Sequence, residues 1–146
     1  NGVDVHQFQP GDRHDPVLNL FSVSRLVPRK NIHVLIAAVE RLAAEGHRLT
    51  LTIAGTGPER ERIAALAAAS QGVVRFVGFI DEAQKQALLK DSDIFVQLSI
   101  REGLSIATLE ALASGLPCVV SDLPGVREPV DPEQTGWLVP DPENVD

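Results

Sequence analysis

Strand-like and helix-like segments alternate along the whole chain, and no other feature narrows its fold as far. Val17 to Ser24 is an apolar, β-branched run that reads as a strand. Behind it, Ile32, Leu35, Ile36, Val39 and Leu42 recur at helical spacing, with Asn31 placed to cap that helix and Gly46 to end it. Leu49 to Ile53 alternates as a strand does and runs into Gly55-Thr56-Gly57-Pro58, where Pro58 suits the first turn of a helix reaching about Ser70. Val73 to Val77 reads as a third strand, and Asp81 with Gln84 as a capping box for a helix through Lys90. Asp93 to Leu98 reads as a fourth strand, Ser105 to Ser114 as a helix stopped by Gly115, and Pro117 to Ser121 as a short buried strand. A helical turn after Pro124-Gly125 and a last strand around Trp137-Leu138-Val139 complete the series. Repeated β-α-β units force parallel strands and right-handed crossovers, so the expectation is a three-layer α/β sandwich with helices on both faces of one sheet.

Ligands in such folds bind outside the carboxyl ends of the strands. Four loops therefore matter: Arg25 to Lys30, Gly55 to Pro58, Gly78 to Asp81, and Ser99 to Ser105. In the last of them, Ser99-Ile100-Arg101-Glu102-Gly103-Leu104-Ser105 feeds a helix bearing Glu110. A helix start offers unpaired N–H groups and a positive dipole end to an anion, and Gly103 removes a side chain where a phosphate or sugar would approach. Glu102 and Glu110 could accept from hydroxyls beside that anion, since a carboxylate takes both O–H donors of a ribose diol. Their spacing carries little by itself, and two surface acids would read the same way.

Arg25, Arg29 and Lys30 put three cations on the loop after the first strand. They fit either neutralisation of a diphosphate without a metal ion or a solvated charge run. Gly55-Thr56-Gly57-Pro58 is half of a dinucleotide fingerprint, but Glu59, Arg60, Glu61 and Arg62 follow where its third glycine belongs. This argues against a nicotinamide cofactor and leaves a tight strand-to-helix turn as the alternative use. Gly78-Phe79-Ile80-Asp81 reads equally as a plain turn or as a flat loop facing a nucleobase.

Composition sets the remaining bounds. A net charge of -7 speaks against nucleic acid as a partner. The single cysteine, Cys118, lies in apolar Leu116 to Val120 and reads as a small buried hydrophobe; one thiol forms no internal disulfide and fits a reducing cytoplasm. His6, His14, His33 and His47 lack metal-ligand spacing and read as solvated surface. The acidic, proline-rich Pro140 to Asp146 reads as a connector, and the absence of an initiator methionine before Asn1 as a sign of a piece of a longer chain.

Taken in order, these segments resemble the C-terminal domain of the group 1, or family 4, retaining glycosyltransferases of the GT-B fold. The resemblance runs from Asn1-Gly2-Val3-Asp4 with Phe8 and Pro10, through Ser24-Arg25-Leu26 with Lys30, Ile53 to Pro58 and Val77-Gly78-Phe79, to Asp93-Ile94-Phe95-Val96. It continues through the Glu102-to-Glu110 pair and Leu109-Glu110-Ala111-Leu112-Ala113-Ser114-Gly115-Leu116-Pro117, and closes on Thr135 to Val139. It implies a Rossmann-like domain that binds a UDP-, GDP- or ADP-sugar without metal or other cofactor. On that basis Arg25 and Lys30 hold the diphosphate, and Gly55 and Gly57 are counted among the substrate-binding residues. Glu102 is the catalytic residue on the transferring sugar, aided by Gly103, Leu104, Ser105 and Ile106. Glu110 takes the ribose, and Gly78, Phe79 and Ile80 lie against the base. Ser24 and Asn31 stand where the family usually has glycine, and Ser105 where many members have a second one. The last change bears on sugar preference. Arg101 has no assigned role.

Residues 1–146 are thus expected to form a single donor-binding domain, lacking the N-terminal acceptor domain and a final C-terminal helix. Alone it is expected to be inactive, to meet any membrane only through the missing part, and to be capable of pairing as a homodimer through the face its partner domain would cover. A competing class is a non-catalytic module that binds a nucleoside diphosphate and tolerates loss of Glu102. A nicotinamide-dependent oxidoreductase is the third.

Overall fold

The computed structural model describes residues 16–144. Asn1 to Asp4, His6, Phe8, Pro10, His14, Val145 and Asp146 lie outside the described residues. Six strands form one sheet: β1 (Leu18–Val23), β2 (Leu49–Ala54), β3 (Val74–Gly78), β4 (Ile94–Gln97), β5 (Cys118–Ser121) and β6 (Gly136–Val139). Every neighbouring pair is parallel, in the order β3-β2-β1-β4-β5-β6. The chain builds outward from β1 to β3, crosses back to β4, and builds outward again to β6. The order reverses between β1 and β4, and in folds of this kind the ligand crevice lies outside the strand carboxyl ends at such a switch point.

Among the described residues five α-helices cover the sheet: α1 (Ile32–Ala44), α2 (Arg60–Ala69), α3 (Glu82–Asp91), α4 (Ile106–Ala113) and the single turn α5 (Pro124–Arg127). Ile32, Leu35, Ile36 and Val39 of α1 pack with Ile63 and Ala67 of α2 against Leu20, Leu51 and Ile53 on one face. Leu89, Ala111 and Val126 from α3, α4 and α5 pack with Phe21, Phe95 and Val120 on the other. The period-2 strands thus feed two apolar layers, and each fully buried side chain of this kind contributes about 1.5–3 kcal/mol. The face under α1 stays partly open over β4 to β6: a trough of about 380 Å³ runs between α1 and Val96, Val119 and Val139. Among the described residues no helix is long and apolar enough to cross a membrane.

Four local expectations need correction. Asn31 does not cap α1 through its side chain; it sits at φ 56°, its carbonyl accepts from Val34 and Leu35, and its side-chain amide donates to the Pro142 carbonyl. The segment after β6 is therefore tied to the start of α1 and is more than a connector. Leu42 keeps to the apolar face of α1 but is 40% exposed, because it lines the open trough with Leu18 and Leu49. Pro58 precedes α2, which begins at Arg60, because the tight turn through Gly57 takes up Pro58 and Glu59. His33 is half-buried with Nδ1 unpartnered, while His47 is exposed as expected.

The capping box on α3 forms as read, with Asp81 accepting from the Gln84 N–H at 2.8 Å and Gln84 accepting from the Asp81 N–H at 2.9 Å. Cys118 is fully buried in β5, and burial pushes its thiol up to about 12.

Candidate functional site

The turn after β1 is held from below by the loop after β2. The buried Leu26 donates its N–H to Thr56 O at 2.7 Å, and its carbonyl accepts from Glu59 N at 3.0 Å. This closeness is what Gly55 and Gly57 are for. At φ 141° and 155°, a Cβ on either would collide with the backbone of Ser24 or Leu26. Gly55 also donates to the Gly78 carbonyl at 2.8 Å, which ties in the loop after β3. The glycine pair is thus accounted for by packing of three strand-end loops, and its effect is to set the backbone that carries Arg25.

The 3₁₀ turn Pro28–Lys30 then brings this loop onto the one after β4. Ile100 N donates to Arg29 O at 2.9 Å, and Lys30 Nζ donates to Glu102 Oε2 in an ion pair whose side chains are each 11% exposed. The cationic turn and the Glu102 loop therefore meet at the same sheet edge. Arg25 lies in that turn, exposed, with no ion pair among the described residues. Arg101 is exposed as well.

Glu102 is fixed by more than Lys30. The same Oε2 accepts from Gln97 Nε2 at 2.7 Å and from Ser99 Oγ at 3.0 Å. Gln97, 4% exposed at the end of β4, accepts from Ser105 Oγ at 2.8 Å through its own oxygen. Ser105 caps α4, accepting from Thr108 N at 3.2 Å and from Thr108 Oγ1 at 2.9 Å. One buried chain of hydrogen bonds thus links the carboxylate in the loop to the start of the helix. Sequence reasoning missed Gln97, Ser99 and Thr108. A glutamine inside the apolar run from Asp93 to Leu98 was the available signal, since a buried amide requires partners.

Gly103 faces open space where its Cβ would be, so no neighbouring atom of the chain demands a glycine there. Its carbonyl instead rests on Gly125 at the start of α5, where any Cβ would overlap it. Leu104 and Ile106 are 51% and 37% exposed beside it, and Phe79 is 74% exposed on the loop after β3, whereas Ile80 packs partly into the core.

Glu110, 9% exposed on the second turn of α4, accepts from Lys85 Nζ of α3 at 2.9 Å. Lys85 also pairs with Glu82 at 2.9 Å. Burial pushes the Lys85 pKa down, but the bonds and charges of Glu110 and Glu82 outweigh it and leave the ammonium above its ordinary value. Lys85, too, went unnoticed in the sequence.

A parallel sheet whose order reverses between β1 and β4, with a buried polar network at that switch point, defines a Rossmann-like α/β fold. Residues 6–146 match the family of glycosyl transferases group 1, and the chain belongs to that family. It is 35% identical over 150 residues to a putative colanic acid biosynthesis glycosyltransferase of Escherichia coli, covering 96% of this chain and 37% of the relative. The sucrose-phosphate synthase structure from Thermosynechococcus elongatus superposes with a TM-score of 0.85 at 28% identity, over 99% of this chain and 39% of that one. The pneumococcal O-GlcNAc transferase GtfA, solved in complex with UDP and GlcNAc, superposes at 0.80 with 26% identity, over 92% of this chain and 26% of that one. The chain spans little more than a third of the length of the curated relatives it matches. The fold is that of one Rossmann-like half of a GT-B glycosyltransferase.

Proposed function

We propose that this chain is the donor-binding domain of a retaining glycosyltransferase that moves a sugar from a nucleoside-diphosphate sugar to a glycan or lipid-linked acceptor. The observation that carries the reading is the Lys30–Glu102 ion pair, which joins the cationic turn after β1 to the loop that opens α4. In this reading Arg25 and Lys30 face the diphosphate. As the sugar's C1–O bond to the β-phosphate breaks, negative charge collects on the departing oxygen, and the two cations stabilise it without a metal ion. Charge stabilisation of this kind is worth most where the donor groups are already oriented, as Lys30 is by Glu102.

Glu102 holds the transferring sugar, with Gly103 leaving room and the N–H groups of Leu104, Ser105 and Ile106 turned to the anion. Glu110 takes the ribose diol, and Gly78, Phe79 and Ile80 lie along the base. Retention of configuration is part of the proposal. Transfer itself requires a second domain to close over the donor, exclude water and present the acceptor, so residues 1–146 alone bind donor without turnover. A store or sensor for nucleoside diphosphates would need the cations and Glu110 but would leave the buried network behind Glu102 without a purpose.

Calorimetric titration with UDP, GDP and ADP, with and without the attached sugar, tests this. One nucleotide is expected to bind in the absence of magnesium and in the presence of a chelator. Arg25→Ala and Glu110→Ala should each weaken that binding, and Glu102→Gln should weaken only the sugar-bearing ligand. Equal, feeble binding of all three nucleotides, indifferent to every substitution, would refute the reading.

A further inference from the structure

Lys85 lies outside all four strand-end loops, yet it is the partner of the carboxylate assigned above to the ribose. Glu110 Oε1 accepts from Lys85 Nζ, while Oε2 has no hydrogen-bond partner among the described residues. The lysine is itself held: Glu82, one helical turn earlier on α3, takes the same ammonium at 2.9 Å. α3 is in turn anchored by the Asp81–Gln84 capping box directly after the Gly78–Ile80 loop. The carboxylate on α4 is thus fixed from a different helix, through a cation that stays charged across the neutral range.

We propose that Lys85 is a positioning residue for ribose recognition: by clamping one oxygen of Glu110 it aims the other at the 2′- and 3′-hydroxyls of the bound nucleotide. This inference rests on the assignment of Glu110 to the ribose. A glutamate side chain has three rotatable bonds, and an unclamped Glu110 would have to be ordered at the moment of binding. With the clamp, two hydroxyl donors meet an oriented acceptor, and a nucleotide lacking one hydroxyl forfeits that bond. The chemistry selected is a ribonucleoside diphosphate over its deoxy form, whatever the base.

The test is the ratio of affinities for a ribonucleotide and its 2′-deoxy counterpart, measured by calorimetry for UDP and dUDP, with the GDP and ADP pairs in parallel. Wild type should prefer the ribose form by about tenfold, the scale of one charge-assisted hydrogen bond. Lys85→Met should bring the ratio to within about twofold of unity while the deoxy ligand binds nearly as before, and Lys85→Arg should restore part of the preference. Loss of folding would lower both affinities together and leave the ratio alone. Glu82→Gln, which leaves the Lys85–Glu110 bond intact, should erode the ratio only in part.

If Glu110→Ala abolishes the preference and Lys85→Met does not, the clamp is wrong and the ribose assignment stands. If Glu110→Ala itself leaves the ratio unchanged, or no nucleotide binds, the ribose assignment falls and the clamp falls with it.

Discussion

Replacing Gln97 by leucine puts the buried network behind Glu102 to a quantitative test. The amide is 4% exposed and makes three contacts: to Glu102 at 2.7 Å, to Ser99 at 3.2 Å and from Ser105 at 2.8 Å. Leucine leaves the Ser105 hydroxyl without its acceptor in a residue only 5% exposed. A buried donor stranded in this way costs about 1–3 kcal/mol, and a lost charge-assisted bond to a carboxylate about 1.5–3 kcal/mol. Burying leucine's methyl groups returns roughly 1.5–2 kcal/mol. Glu102 keeps Lys30 and Ser99, so its penalty falls at the low end.

The balance is a net loss of about 0.5–3 kcal/mol, or a fall in Tm of about 2–10 °C for a chain of this size. Urea denaturation followed by far-ultraviolet circular dichroism reads the first, and a thermal melt the second. Gln97→Glu keeps the acceptor for Ser105 but sets a second carboxylate against Glu102, and should cost more than leucine at neutral pH. A leucine variant within about 0.5 kcal/mol of wild type would show that the network contributes no net stability, and the reasoning that orients Glu102 through it would be refuted.

Gly125→Ala should cost about 1–3 kcal/mol by forcing the new methyl against the Gly103 carbonyl, and should weaken nucleotide-sugar binding because the loop must move; unchanged calorimetry would contradict this. Asp81→Ala removes the capping box of α3 and should lower stability by about 1 kcal/mol, read by the same urea melt. Cys118, pushed up to about 12 by burial, should resist alkylation in the native state at pH 8 and react only after unfolding. Its folded pKa lies above the unfolded value, so its contribution is complete below the unfolded pKa of about 8.5 and is lost as pH rises toward 12. Melts at pH 8 and pH 11 on wild type and Cys118→Ala should show a smaller alkaline loss in the variant.

The elements were legible because this chain's periodicity is strong where its packing is simple. All six strands, the α3 capping box, the glycine stop after α1 and the burial of Cys118 follow from local pattern alone. So did the loops that meet at the crevice, since parallel strands send their carboxyl ends to one edge. What local pattern misses is partners distant in sequence. Asn31 looks like a cap because its neighbours are helical, yet its amide goes to Pro142. Lys85 looks like half of a surface pair with Glu82, and only the fold brings Glu110 to it. Gln97 sits in a strand too short for one polar residue to break its apolar reading. The glycines at 55 and 57 read as half of a dinucleotide fingerprint or as a tight turn, and only the fold shows the backbone of Ser24 and Leu26 in the space their missing side chains leave.

Everything functional here depends on one crevice at the reversal between β1 and β4 receiving a nucleoside diphosphate. Amide chemical-shift mapping during titration with UDP, GDP and ADP reads that location residue by residue. Perturbations should cluster at Arg25 to Lys30, Gly78 to Ile80 and Gly103 to Glu110, and should be largest for one base. Perturbations confined to the opposite edge of the sheet, around Ala69, Ser70 and Val73, would mean that the ligand binds elsewhere and that the crevice is not its site.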